Sequence, residues 1–398
     1  MLDVDALRAE FPALSGRQIF LDGPAGTQVP NPVIRAINEA LTRSMSNVGG
    51  QFASSRRSEE VVARAREAGA DLVNGSLHEI VFGQNMTSLT FALSRALAET
   101  WKEGDRIILS AIDHDANITP WVRAAASKGV LVDFVDFDRE TTALDLDQLE
   151  SMIDQRTRLV AVTGCSNAFG TTVDVARVAR AAKAVGALTF VDAVHLAPHR
   201  RIDVEAIECD FLVCSSYKFF GPHLGIMWAR ADHLERLPAF KVRPAPDQGP
   251  ARWETGTAPF ELLAGFTAAV DYLASLGWGA DRRGALDAAF AEIGSYEAGL
   301  GDRFLAGLPD RVTVVGQATM KGRVPTFAVA VDALPAAEVA RQLGNLGIAT
   351  WAGHYYAVEP MARLGLLESG GLTRIGFVHV STAKEVDVTL AALSNLES

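Results

Sequence analysis

Cysteine is scarce in this chain: three in 398 residues, Cys165, Cys209 and Cys214. With no Cys-x-x-Cys pair among them, a disulfide framework or a cysteine-built metal site is excluded, and buried thiols are expected. Basic charge is also short. Against 48 Asp and Glu stand 37 Lys and Arg, a formal net charge of -11, the reverse of the excess with which nucleic-acid domains hold phosphate backbones. No stretch approaches 18 uncharged apolar residues, so no membrane span is expected. The start, MLDVDALRAEFPALSG, sets acids among apolar residues and lacks the basic-then-apolar order of a signal peptide. A cytoplasmic protein with neither nucleic-acid nor membrane partner is the expectation. NVGGQF lacks both the Gly-x-Gly-x-x-Gly spacing and a preceding strand, which argues against nicotinamide binding.

What the chain has is apolar content, 48% of its residues, enough for a large core. Helical periodicity runs through Ile34, Ile37, Leu41 and Met45, and again through Leu89, Leu93, Leu97 and Trp101. Between later helices lie the short apolar runs DRIILSA, VLVDFVDF, RLVAVTG, ALTFVDA, DFLVCSS and GIMWA. Runs that short, alternating with helices such as DVARVARAAKAVG, predict buried parallel strands in an α/β layer. After the Pro- and Gly-rich RPAPDQGPARWETGTAPF comes the long helical pattern ELLAGFTAAVDYLASLG. RVTVVG and TFAVAV then read as strands of a smaller α+β domain, from about residue 280 to the end.

Ligands of α/β sheets sit beyond the carboxyl ends of the strands, so the polar residues that close each run are the informative ones. Those ends carry His114, Asn167, Asp192, His195, Ser215, Tyr217 and Lys218. A carboxylate and a lysine on successive strand ends suggest pyridoxal phosphate (PLP). The lysine would form a Schiff base with the aldehyde, while the aspartate keeps the ring nitrogen protonated. Burial favours the neutral, nucleophilic amine, which explains a lysine set in an apolar run. Thr87 and Ser88, opening a helix, can offer hydroxyls and N–H groups to a phosphate. His195 and His199 are spaced as His-x-x-x-His, but no matching acid or cysteine accompanies them, so no metal is expected.

Taken together these residues resemble the class V aminotransferases, fold type I PLP enzymes, in their cysteine desulfurase-like branch. The resemblance runs from FLDGPAGTQVP to RIGFVHVSTAKEVD. It implies an α/β fold with a PLP-binding large domain over residues 19–279, a small C-terminal domain over 280–398, and an N-terminal segment, 1–18, packed on the small domain. DHDANITPW implies that His114 stacks on the cofactor ring. CSNAFGT puts Asn167 near the ring hydroxyl and the substrate, VDAVHLAPH implies Asp192 at the pyridinium nitrogen, and His195 faces the ring hydroxyl. CSSYKFFGP implies Lys218 as the Schiff-base residue with Ser215 as a phosphate ligand. Tyr217 stands where the family usually has His, and its phenol can still bond a phosphate. Thr87 and Ser88 match the family's phosphate-binding pair. RWETGTAPF implies a homodimer in which Thr257 reaches the neighbouring subunit's phosphate, and LTRIGF implies Arg374 for the substrate α-carboxylate.

One departure bears on the reaction. Desulfurases of the nearest branch carry a mobile cysteine after a Gly-His in the loop before that arginine, and here the stretch is WAGHYYAVEP, with Tyr356 at the cysteine position and Tyr355 beside it. A phenol cannot become a persulfide. The expected activity is therefore PLP-dependent β-elimination, a C–S lyase acting on cysteine or an S-substituted cysteine. Transamination is the alternative, with epimerisation or decarboxylation behind it. Tyr355 and Tyr356 are expected to line the substrate pocket or give a proton to the leaving group, or else to pack the loop.

Overall fold

The structure, a computed structural model, describes residues 2–43 and 46–397. The helix expected from Ile34 to Met45 forms over Asn31–Arg43, and Met45 lies outside the described residues.

Seven strands build the larger sheet: β1 (Ile80–Gly83), β2 (Arg106–Ser110), β3 (Leu131–Val135), β4 (Thr157–Thr163), β5 (Leu188–Asp192), β6 (Phe211–Ser215) and β7 (Gly225–Ala229). Their order is β1-β7-β6-β5-β4-β2-β3. All neighbours from β6 to β3 pair in parallel, and β7 is antiparallel to both β6 and β1. The sequence had suggested a parallel strand for GIMWA. The segment between β6 and β7 is too short for a crossover helix, so the chain can only return antiparallel.

The unbroken apolar character of the inner strands has a direct cause. Side chains alternate across the pleat, so Leu212 and Cys214 of β6 join the core on one face of the sheet while Phe211 and Val213 join the core on the other. Both faces are covered, and each such side chain contributes roughly 1.5–3 kcal/mol on leaving water.

A second, antiparallel sheet follows the long helix Arg282–Ala306: β8 (Val312–Val315), β9 (Thr326–Val331), β10 (Trp351–Gly353) and β11 (Leu372–Gly376), in the order β10-β11-β9-β8. Its register sets Arg374 between Ala328 of β9 and Trp351 of β10. The N-terminal segment touches both halves. Arg8 pairs with Glu385 of the last helix at 2.9 Å, and the Phe11 ring makes edge contacts with Phe220 and Tyr272.

The start of β7 presses against the turn that opens the helix Met86–Ala98. A Cβ on Gly225 would lie 2.6 Å from Asn85 Cα and would overlap its carbonyl carbon, so only glycine fits. Gly225→Ala is expected to cost on the order of 1–3 kcal/mol, measured by denaturant unfolding, and to displace the Asn85 cap.

Candidate active site

A cavity of about 780 Å³ opens at the carboxyl ends of β4, β5 and β6, with the edge of the second sheet as its far wall. Lys218 enters it from a single 3-10 turn, Ser216–Lys218, directly after β6. Its Nζ donates to the carbonyls of Pro24 at 2.7 Å and Ala25 at 2.9 Å. Burial, then the nearby Arg374 guanidinium, lower its pKa to about 7, against the opposing pull of Asp192 and Asp22. A sizeable neutral fraction of the amine is therefore present at neutral pH.

Asp192 ends β5 and is buried, with Oδ1 accepting the Val194 N–H at 2.9 Å. Burial raises its pKa to about 6. No cation is paired with it among the described residues. Arg374 reaches in from β11, buried, with Nη1 donating to the Asn167 carbonyl at 2.8 Å and its guanidinium 4.6 Å from the Tyr355 ring. Desolvation lowers its pKa to about 10, so it stays charged at neutral pH. Its Nε has no partner, and neither has Asn167 Oδ1.

His114 sits on a loop anchored by Asp113. That carboxylate accepts from the Ser110 hydroxyl, from Asn117 Nδ2 at 2.7 Å and from the Thr163 N–H at 3.0 Å. His114 Nδ1 accepts the Ala116 N–H at 3.0 Å, and burial lowers its pKa to about 4, so the ring is neutral. Tyr356 stacks on one imidazole face, 5.5 Å between centroids. The cofactor contact expected of His114 needs the other.

Thr87, Ser215, Tyr217 and His223 also line the cavity. Ser215 Oγ accepts the Met86 N–H at 3.0 Å, tying β6 to the N-terminus of the helix Met86–Ala98. Tyr217 stacks on His223 at 4.8 Å. His195, buried, places Nε2 3.0 Å from the Thr326 hydroxyl.

Two expected site residues are not in this lining. Ser88 is committed to the helix cap, its hydroxyl donating to the Asn85 carbonyl at 2.8 Å while its N–H donates to Asn85 Oδ1 at 2.9 Å. The hydroxyl proton that the expected phosphate contact would use is thus engaged in a capping box. Thr257 is exposed and lies outside the cavity of its own chain. His199, spaced from His195 like a metal ligand, instead pairs Nδ1 with Glu297 at 2.8 Å. Sequence reasoning missed Asp113, His223, Trp351 and the Pro24–Ala25 carbonyls. Asp113, Trp351 and Pro24–Ala25 stood inside stretches already singled out, DHDANITPW, WAGHYYAVEP and FLDGPAGTQVP, whereas His223 lay one residue beyond CSSYKFFGP.

The sequence profile described as Aminotransferase class-V matches residues 19–389. The chain belongs to this family. It is a PLP-dependent enzyme of the cysteine desulfurase-like kind. It is 31% identical to the aminotransferase-like protein FGM3 of Gibberella zeae, covering 98% of this chain and 97% of that one. It is 30% identical to a probable cysteine desulfurase of Pseudomonas aeruginosa, over 97% and 96% of the two chains. The solved apo cysteine desulfurase of Thermococcus onnurineus superposes with a TM-score of 0.91 at 26% identity, covering 100% of this chain and 98% of that one.

The cavity of this class-V enzyme fits the cofactor. A buried carboxylate without a cation, Asp192, suits a protonated ring nitrogen, and a lysine with pKa about 7 suits covalent capture of an aldehyde. Capture of PLP by the apo-protein is expected to speed up as pH rises through about 7, where Lys218 loses its proton, and to level off above. Stopped-flow absorbance at several pH values reads this. After borohydride reduction, mass spectrometry should find the cofactor retained in the parent and absent from Lys218→Ala.

Proposed function

We propose that this enzyme is a β-eliminating C–S lyase acting on cysteine or an S-substituted cysteine. The observation that carries the reading is the loop between β10 and the helix Val358–Arg363, which presents Tyr355 and Tyr356 to the cavity and no thiol. Cys165 lines the cavity, but it is buried with Sγ 3.3 Å from the Gly170 carbonyl, and burial pushes its thiol far above the ordinary range. Cys209 and Cys214 are buried outside the cavity. A persulfide needs an exposed thiolate, and none is at hand among the described residues.

When bound, PLP supplies the sink for the electron pair released at the substrate Cα. The protein's own groups do the rest. The Arg374 fork takes the α-carboxylate, and the neutral Lys218 amine removes the Cα proton. Tyr355 is excluded as proton donor because its hydroxyl is bonded to the Leu372 carbonyl. That leaves the exposed Tyr356 to give a proton to the departing sulfur. In balance, R–S–CH2–CH(NH3+)–COO– and water yield pyruvate, ammonium and R–SH. The supporting groups in this reading are His114, Asn167 and His195 around the ring, with Thr87, Ser215 and Tyr217 at the phosphate. A homodimer in which Thr257 completes the neighbour's phosphate site belongs to the same proposal, supported by the exposure of Thr257 away from its own cavity.

With S-substituted cysteines and no keto acid present, the holoenzyme is expected to release pyruvate over many turnovers. Turnover that requires a keto-acid acceptor would replace this reading with transamination. Tyr356→Phe is expected to slow single-turnover elimination by about 100-fold, and an unchanged rate would remove Tyr356 from the mechanism.

A further inference from the structure

The outer half of the cavity carries a pattern that elimination by itself does not require. Lys218 and Arg374 are its only lysine or arginine among the described residues. A substrate's α-carboxylate and amine use the inner groups, so a distal acid would meet no free cation. The exposed large side chains of the lining are aromatic instead, Trp351 and Tyr356.

Placement of these rings is fixed by backbone geometry. Trp351 on edge strand β10 pairs with Arg374 in antiparallel register, so both side chains rise from the same face of the sheet. The two residues are therefore cross-strand neighbours, and Trp351 remains 53% exposed. Tyr355 and Tyr356 are consecutive residues in the left-handed region, with φ of 51° and 59°. Side chains bearing a Cβ adopt that conformation only when their surroundings impose it. Here the Asn167 amide donates to the Tyr355 carbonyl at 2.9 Å, and the Asp115 N–H donates to the Tyr356 carbonyl at 2.7 Å. The Tyr356 N–H in turn reaches His354 Nδ1 at 3.1 Å. The loop is thus strapped to the site's own residues, and it holds the Tyr356 ring on His114 with 68% of the residue exposed. Two large, exposed aromatic side chains thus line the cavity, one on the cross-strand neighbour of Arg374 and one stacked on His114.

We propose that Trp351 and Tyr356 form an aromatic subsite that selects substrates with an uncharged aromatic or aralkyl group beyond the scissile bond. Resting on the C–S lyase reading, the favoured substrate class is an S-aryl- or S-aralkyl-cysteine conjugate in preference to cysteine itself. Apolar area leaving water and offset stacking supply the preference.

The test uses acids that lack the amine and cannot react, titrated calorimetrically into the holoenzyme: 3-(benzylthio)propionate, 3-(methylthio)propionate and the acidic 3-(carboxymethylthio)propionate. The benzyl acid is expected to bind about tenfold more tightly than the methyl acid. Trp351→Ala and Tyr356→Ala should each remove most of that advantage, whereas Trp351→Phe and Tyr356→Phe should keep it. Both positions are exposed, so folding should survive, which circular dichroism checks. Equal affinities, an advantage that persists in both alanine variants, tighter binding of the dicarboxylate, or no binding of the benzyl acid would each overturn the proposal. A benzyl advantage without pyruvate release from S-benzylcysteine would retain the subsite and discard the lyase. Pyruvate release without a benzyl advantage would do the reverse.

Discussion

Three ionisable groups, Lys218, Arg374 and Asp192, share one poorly hydrated volume, and the rest of the site is arranged around that constraint. Removing charge from water is costly, so each group shifts toward neutrality: the amine to about 7, the carboxylate to about 6 and the guanidinium to about 10. At neutral pH the arginine stays fully charged, held against the Tyr355 ring and the Asn167 carbonyl, while the carboxylate is mostly ionised and the amine partly neutral. The lysine becomes a nucleophile and the aspartate is left waiting for a proton-bearing partner. The fold sustains this because β5 and β6 are covered on both faces and their last residues, Asp192 and Ser215, are buried at the cavity floor.

A second constraint acts on the outcome of the chemistry. The loop between β10 and the helix Val358–Arg363 is tied down by Asn167 and Asp115, groups that belong to the inner site. It carries two tyrosines whose backbone carbonyls are held. One of them, Tyr355, is spent beneath Arg374, and the other, Tyr356, faces the opening. In the proposed reading the same loop decides both the proton donor to the leaving group and the surface on which the substrate's distal group rests.

Much of this could be read in the amino-acid string, for reasons visible at particular residues. The strands β2, β4, β5 and β6 were legible because burial on both faces makes them continuous apolar runs, and their polar last residues marked the ligand edge. Strand β11 was not, since its centre is a cation whose burial is offset by contacts from Tyr355 and Asn167, far away in sequence. Direction at β7 depended on the length of a connection, not on its apolar pattern. Thr87-Ser88 resembles a hydroxyl pair, but Asn85-Met-Thr-Ser88 is equally a capping signal, and the Ser88 side chain takes the capping role here. Trp351 stood at the head of WAGHYYAVEP without a signal of its own, because its pairing with Arg374 comes from cross-strand register.

The central claim is that sulfur leaves from Cβ and is never attacked by a protein thiolate. These routes differ in where the C–S bonding pair goes. Elimination sends it to sulfur and leaves pyruvate, whereas thiolate attack on sulfur leaves it on Cβ, which takes a proton and becomes alanine. Quantifying both carbon products of cysteine turnover, with intact-mass analysis of the protein, tests this most directly. The account predicts pyruvate matching the sulfide released and a protein mass free of added sulfur. Alanine as the product, with a persulfide on Cys165, Cys209 or Cys214, would contradict it.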